Sequence, residues 1–290
     1  MSKIRIHFDG EIASSHMISM RSLGKSLSHL QSAVDRAYLD LKHDAIWKYA
    51  RLRSEDYLET QFLTGISQEG GYILDFVSNT AFGKQIVNRI SMALRPAIDK
   101  AMEGGDRQIT NFAEQIDTRK QQIAHSIITP TDYQILLENP PENVTRKYGD
   151  RSIVKEFDQI ASIVRSSNVS DDSMIEFKLT GTSTKTFIFD KQVSKSFHSI
   201  VSNKAIGEPV IYLAKITSLD HGNLKGRIKN VVSRKDAYIH FIDEESFFKA
   251  SPYLGSKNPV QLIGCPLIEY GAFDPKAGDI YFIDILQKDG

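Results

Sequence analysis

An α+β fold is what this sequence predicts: an N-terminal unit of two hairpins and one long helix, continuing into a helical bundle, and then a C-terminal β-barrel. Three observations lead there. Met20, Leu23, Leu27, Leu30, Val34, Ala37 and Leu41 recur at steps of three and four, which is the period of a helix with one apolar stripe. Ile4, Ile6 and Phe8 alternate with Arg5, His7 and Asp9, the period of a strand with one buried face. Beyond residue 210, short β-like runs surround a single helical candidate.

Those runs cover 210–219, 224–232, 237–242, 260–265 and 280–285, with the helix at 243–253 after the third. Three strands, a helix and two strands resembles the order of an OB-fold, a small barrel that commonly binds oligonucleotides or oligosaccharides on its second and third strands and adjoining loops. In the second run Leu224, Gly226, Ile228, Asn230 and Val232 share one face, and Lys225, Arg227 and Lys229 share the other. In the third, Ile239 and Phe241 oppose Tyr238 and His240. If the two strands pair through the turn at 233–236, cations and rings share a surface suited to phosphates and stacked bases. The plainer reading of the same stripe is a solvated strand face with lysines as edge protection. The loop between the last two strands holds Tyr270 and Phe273, with Gly271 and Gly278 as its bend points. Those two rings would stack on bases or sugars, anchor a partner protein, or plug the end of the barrel.

Composition narrows the classes. The chain has 290 residues, 41% of them hydrophobic and 25% charged, which suits two globular domains. Lys and Arg total 36, as do Asp and Glu, so no global field draws the chain to nucleic acid or anionic lipid, and any such site must be a local patch. The single cysteine, Cys265, cannot form an intramolecular disulfide and reads as a buried small hydrophobe. Residues 1–10 lack the apolar core of a signal peptide, and no run approaches the ~20 apolar residues of a membrane span, so a cytoplasmic setting without a membrane partner is expected.

Along the chain, Asp9-Gly10 signals a turn, with 11–18 as the returning strand of a hairpin. Ser19 is placed to cap the long helix, and Gly24 suggests close packing near its start. The helix stripe would serve either a dimer seam or its own sheet. A second hairpin is expected from 58–63 and 72–77 through a loop with Gly65 and Gly70-Gly71. Helical stripes follow: Ile86 to Ala101, kinked or shortened at Pro96; Ile109 to Ile127, capped by Asp106; a short helix after Pro130 that ends by Pro140-Pro141; and Ile153 to Val164. Serines and aspartates at 166–173 form the best linker, dividing a domain 1–167 from a β-rich domain 174–290 whose barrel occupies 210–286. A β-β-α preface over 175–201, turning at Gly181 and capped by Asp190, joins one or the other.

Catalytic motifs are sparse. Glu176-Phe177-Lys178 has the Glu-x-Lys spacing of some metal-dependent nucleases but lacks a preceding strand with an aspartate. His7, Asp9 and Glu11 mimic a metal cluster at a strand end, and His221 in a polar turn is a general-base candidate without a nucleophile. No catalytic residue, metal site or cofactor is therefore expected. Taken whole, the chain resembles bacterial accessory proteins of the kind that travel with mobile elements or phage defence, a likeness that implies a prokaryotic cytosolic setting and assigns no residues. The expectation is a non-enzymatic binding and assembly protein. Its barrel would hold single-stranded DNA or RNA, or a related polyanion, through Lys225, Arg227, Lys229, Tyr238, His240, Tyr270 and Phe273. Its N-terminal part would form a homo-oligomer or recruit a protein. A protein scaffold without nucleic acid is the alternative, and a metal-dependent nuclease the third.

Overall fold

The computed structural model describes residues 1–44, 46–65, 72–104, 111–140, 142 and 144–286. The protein mixes helix and strand and divides into two compact units, neither of which is a continuous stretch. The first takes Met1–Ile46, Ala50–Arg107 and Gly149–Asn203; the second takes Trp47–Tyr49, Gln108–Tyr148 and Lys204–Gly290. The cut expected near Ser167 thus falls inside the first unit. The reason is strand pairing. The strand after the serine-rich stretch pairs with the first strand of the chain, which the linker reading left without a second neighbour.

In the first unit β1 (Ser2–Asp9) and β3 (Tyr72–Ser78) pair antiparallel, with Ile6 opposite Leu74 and Arg5 opposite Asp75. The stretch after Asp9 is a 3-10 turn, Gly10–His16, and not the returning strand of a hairpin. β1 finds its partners in distant segments instead. The second expected hairpin also shrinks. Of the described residues from 58 to 65, only β2 (Leu63–Thr64) pairs with β3; Leu58 lies exposed in a turn, and Gly70-Gly71 lies outside the described residues. α1 (Met20–His43) starts at Ser19, whose side chain accepts from the Ser22 N–H. It buries Leu30, Val34, Ala37 and Tyr38, whereas Met20 and Leu41 stay exposed. A Cβ at Gly24 would meet no atom within 4 Å, so no close approach explains that glycine. α2 (Gly83–Met102) continues past Pro96 and is not shortened there. Pro96 and Met92, whose hydrogen bond is lost, both lie on the exposed side of the helix, away from its buried face.

The chain then supplies α3 (Phe112–Ala124), β4 (Thr131–Asp132) and α4 (Tyr133–Glu138) to the second unit. The cap of α3 is Asn111; Asp106 and Ile109 lie outside the described residues. The first unit resumes near the start of α5 (Tyr148–Ala161), followed by β5 (Met174–Thr180), β6 (Thr184–Phe189) and α6 (Lys191–Val201). The sheet order β2-β3-β1-β5-β6 puts the β-β-α preface in this unit. Its core includes an aromatic relay in which Phe157, Phe177, Phe189 and Phe197 meet edge to face with centroids 4.9 to 5.9 Å apart.

In the second unit β7 (Lys204–Ile206), β8 (Val210–Asp220), β9 (Lys225–Asn230), β10 (Asp236–His240), α7 (Glu244–Ala250), β11 (Val260–Glu269) and β12 (Ile280–Leu286) follow in order. β8-β9-β10-β12-β11 close into a five-strand barrel through a β8–β11 pairing, with β10 and β12 parallel and their neighbours antiparallel. Alternation explains the closure. Tyr212, Ala214, Ile216, Ile228, Ile239, Leu262, Ile280 and Phe282 all point inward and are buried. β11 is buried on both faces, because Ile263, Cys265 and Leu267 turn outward against Ile116 of α3. Helix α3 therefore covers one side of the barrel.

Candidate functional site

The exposed outer face of β9 and β10 is set by register. Lys225 pairs with His240, Arg227 with Tyr238 and Lys229 with Asp236, so these six side chains rise on one surface. The inner set is Gly226, Ile228 and Asn230, all buried, while Val232 leaves the strand and is exposed. Gly226 is required there. A Cβ would come within 2.7 Å of both Leu219 Cδ2 and Ser218 O, beside the bulge that β8 makes between Ile216 and Ser218.

Tyr238 is the centre of the face. The Lys225 ammonium sits 3.9 Å from its ring centroid, and the Arg227 guanidinium, 5.2 Å from that centroid, donates to the hydroxyl at 3.1 Å. The bond from Arg227, with the field of Lys225 and Lys48, pulls the Tyr238 phenol below the ordinary tyrosine range.

Sequence reasoning missed the other half of the site, the strap Trp47–Tyr49. The Lys48 N–H donates to Asp274 Oδ2 at 2.6 Å and its ammonium pairs with Asp279 at 2.7 Å. Those bonds lay Trp47 and Tyr49 over the barrel. Lys235 and Lys276 stand 5.0 and 4.8 Å from the Trp47 ring. Trp47, Tyr49 and Tyr238 line one open cavity of about 500 Å³ together with Arg227, Arg234, Lys235, Asp236 and Ala237. The one available signal was compositional: Trp47 is the chain's single tryptophan, with Tyr49 two residues on.

The turn that carries Arg234 and Lys235 is organised from inside. Buried Asn230 accepts from the Val232 and Ser233 N–H groups, the Ser233 hydroxyl donates to Lys276 O, and Arg234 adopts φ +56°. Asp274 organises the facing loop by accepting from the Lys276 and Ala277 N–H groups in addition to Lys48. Burial raises its carboxyl above the ordinary value, and the three backbone donors oppose that rise. For Asp279 burial acts in the same direction but is outweighed by His240 and Lys48, leaving the carboxyl below its ordinary value. Among the described residues no carboxylate pairs with Lys225, Arg227, Lys229, Arg234, Lys235 or Lys276, so the patch is locally cationic on a chain of zero formal net charge.

The remaining expected residues lie elsewhere or are occupied. His240 stacks on Tyr281 with centroids 5.2 Å apart and approaches Asp279 at 3.4 Å. Tyr270 is buried beneath Arg146, and Phe273 packs on the barrel interior, so both rings act as plugs and not as free loop aromatics. The reason is local: Tyr270 sits at φ +53° in a tight turn that brings Glu269 and Ala272 into backbone pairing and folds the ring inward. His221 lies against Phe247 and Phe248 and 3.5 Å from Glu244. In the first unit Glu176 and Lys178 do share a strand face, but their neighbour β1 presents His7 and Arg5. Asp75 lies one strand further, bound by Arg5 and Lys3. Among the described residues no cluster of three His, Cys, Asp or Glu side chains is placed to hold a metal, and no helix is long and apolar enough to cross a membrane. No protein-family model matches the chain, and neither a curated protein nor a solved structure matches it.

Proposed function

We propose that the second unit is an OB-like module that binds single-stranded nucleic acid across the β9–β10 face. The observation that carries this reading is the cavity of Trp47, Tyr49 and Tyr238, interleaved with cations that have no carboxylate partner among the described residues. Rings stack on bases and cations follow phosphates, the two contacts that hold a single strand without reading its sequence. Strand order supports the assignment. Three strands, a helix and two strands, with the third and fifth parallel, resemble the OB order, in which β9 and β10 would correspond to the ligand-binding second and third strands. Lys225 over Tyr238 does not obstruct a base. An exposed cation–π contact is worth about 0.5–1 kcal/mol, whereas stacking one base contributes about 1–3 kcal/mol, so a base displaces the ammonium toward a phosphate. The first unit would assemble copies or recruit a partner, and light scattering of the full chain tests the assembly.

Fluorescence anisotropy with labelled twelve-residue oligo-dT and oligo-U, titrated at several salt concentrations, tests the binding. The expected result is affinity that falls steeply with salt, with a slope reduced by about 2 in a Lys225, Arg227, Lys229 triple alanine variant, since each single-strand phosphate contact contributes about 0.7. Trp47→Ala and Tyr238→Ala should each weaken binding by roughly tenfold. Absence of binding at tens of micromolar in low salt overturns the reading. Binding that ignores salt would point instead to a protein scaffold.

A further inference from the structure

One group in the cavity is not explained by single-strand binding alone. Asp236 opens β10, is exposed, and lines the cavity with Arg227, Arg234 and Lys235. Among the described residues no cation comes within ion-pair distance of it, although Lys229 lies directly opposite in register. A carboxylate beside a phosphate backbone repels it, so its place in a polyanion site needs a different partner.

The strand supplies one. Asp236 and Tyr238 lie two residues apart on one face, a spacing of about 6.7 Å along the strand. A purine stacked on Tyr238 extends its edge across most of that gap, so the carboxylate meets the base and not the backbone. An ionised aspartate only accepts hydrogen bonds, and it accepts best from two donors side by side. Guanine is the one base whose Watson–Crick edge carries adjacent donors, the N1–H and the N2 amino group. Adenine and cytosine each place one amino group beside an acceptor, and uracil and thymine set a single N–H between two acceptors. The opposite edge of guanine carries O6 and N7, the acceptor pair that arginine meets in bidentate fashion.

We propose, building on the single-strand reading above, that this cavity is a guanine-selective subsite in which Tyr238 stacks on the base and Asp236 accepts from its N1–H and N2 amino group. Trp47 is the chain's single tryptophan and lines the cavity, so its emission reports occupancy directly. The full-length protein is titrated with uridine heptamers whose central residue is guanosine, inosine, adenosine, cytidine or uridine. Inosine keeps the N1–H and lacks the amino group. The guanosine probe should bind about tenfold tighter than the adenosine, cytidine and uridine probes, the discrimination of one bidentate pair, with inosine between. Asp236→Asn should level the five affinities while binding persists. Equal affinities in the wild type, or a guanosine preference that survives Asp236→Asn, overturns guanine selection and leaves single-strand binding standing. No response to any of the five probes, by emission or by anisotropy, overturns both.

Discussion

The backbone N–H of Lys48 donates to Asp274 across 226 residues of chain, at 2.6 Å. With it the carboxylate accepts three backbone donors, two of them from its own loop, so one buried side chain holds both the strap and the β11–β12 connection. Asp274→Ala should leave those donors without their acceptor and cost about 3 kcal/mol, at the upper end for bonds to a charged group. Urea unfolding followed by tryptophan emission reads both consequences: a lower midpoint, and a red-shifted Trp47 in the folded baseline. An unshifted folded baseline would mean the strap is held by other contacts.

Gly226 sets the spacing of the binding face, because it lies between Lys225 and Arg227 where Ser218 O and Leu219 occupy the space a Cβ would need. Gly226→Ala inserts a methyl into contact with a carbonyl that cannot move without shifting the bulge. The expected loss is about 1–3 kcal/mol of stability, as for other overpacked positions. Thermal unfolding checks it, and an unchanged midpoint would show that β8 yields freely.

Acid should loosen the first unit. Arg5, with Lys3, holds the Asp75 carboxyl at about 2, below its ordinary value of 3.8. Burial works against the charge of Asp56, but Lys42, the Arg53 N–H and the Tyr38 hydroxyl outweigh it and hold that carboxyl at about 2 as well. Both folded values lie below the unfolded ones, so the unfolded chain binds more protons in this range. The stabilisation is complete above about pH 4 and is lost as pH falls toward 2. Circular dichroism during urea unfolding should show the midpoint dropping over that window, with a shallower drop in Asp75→Asn. A slope unaltered by that substitution would count against the Asp75 contribution.

Cys265 should be inert in the folded protein. It is fully buried, and burial pushes its thiol up to about 12, so neither access nor thiolate is available at neutral pH. A thiol-specific reagent at pH 8 should label the chain only after denaturant is added. Rapid labelling of native protein would reveal opening of the β11 surface that faces Ile116.

Much of the barrel was legible because strands announce their faces locally. Ile228 against Arg227, and Ile239 against Tyr238, are one-residue decisions that alternation makes without knowledge of the rest. The shared surface of Lys225, Arg227, Lys229 and Tyr238 followed from two such patterns and one turn. What alternation does not carry is partnership at a distance. The pairing of β1 with β5 joins Ile6 to Phe177, and Asp9-Gly10 offered a cheaper local partner that the 3-10 turn does not use. Trp47 reaches the cavity beside Lys48, which bonds two aspartates more than 220 residues later, a contact with no periodic trace. For Tyr270 stacking, anchoring and plugging stayed open in the sequence, because nothing in Glu-Tyr-Gly announces that the turn folds the ring inward.

The alternating allegiance of the chain has a consequence for its synthesis. Trp47–Tyr49 leaves the ribosome long before the β9 and β10 strands it covers, and β1 waits for β5 before its sheet has a second side. Both units therefore depend on loops closed over well more than 100 residues, and contacts of such separation slow folding because the closure entropy is lost before the contacts form. For much of translation the nascent chain carries an uncovered β1 edge and an undocked strap, and chaperones that shield such edges would act on it before any ligand does.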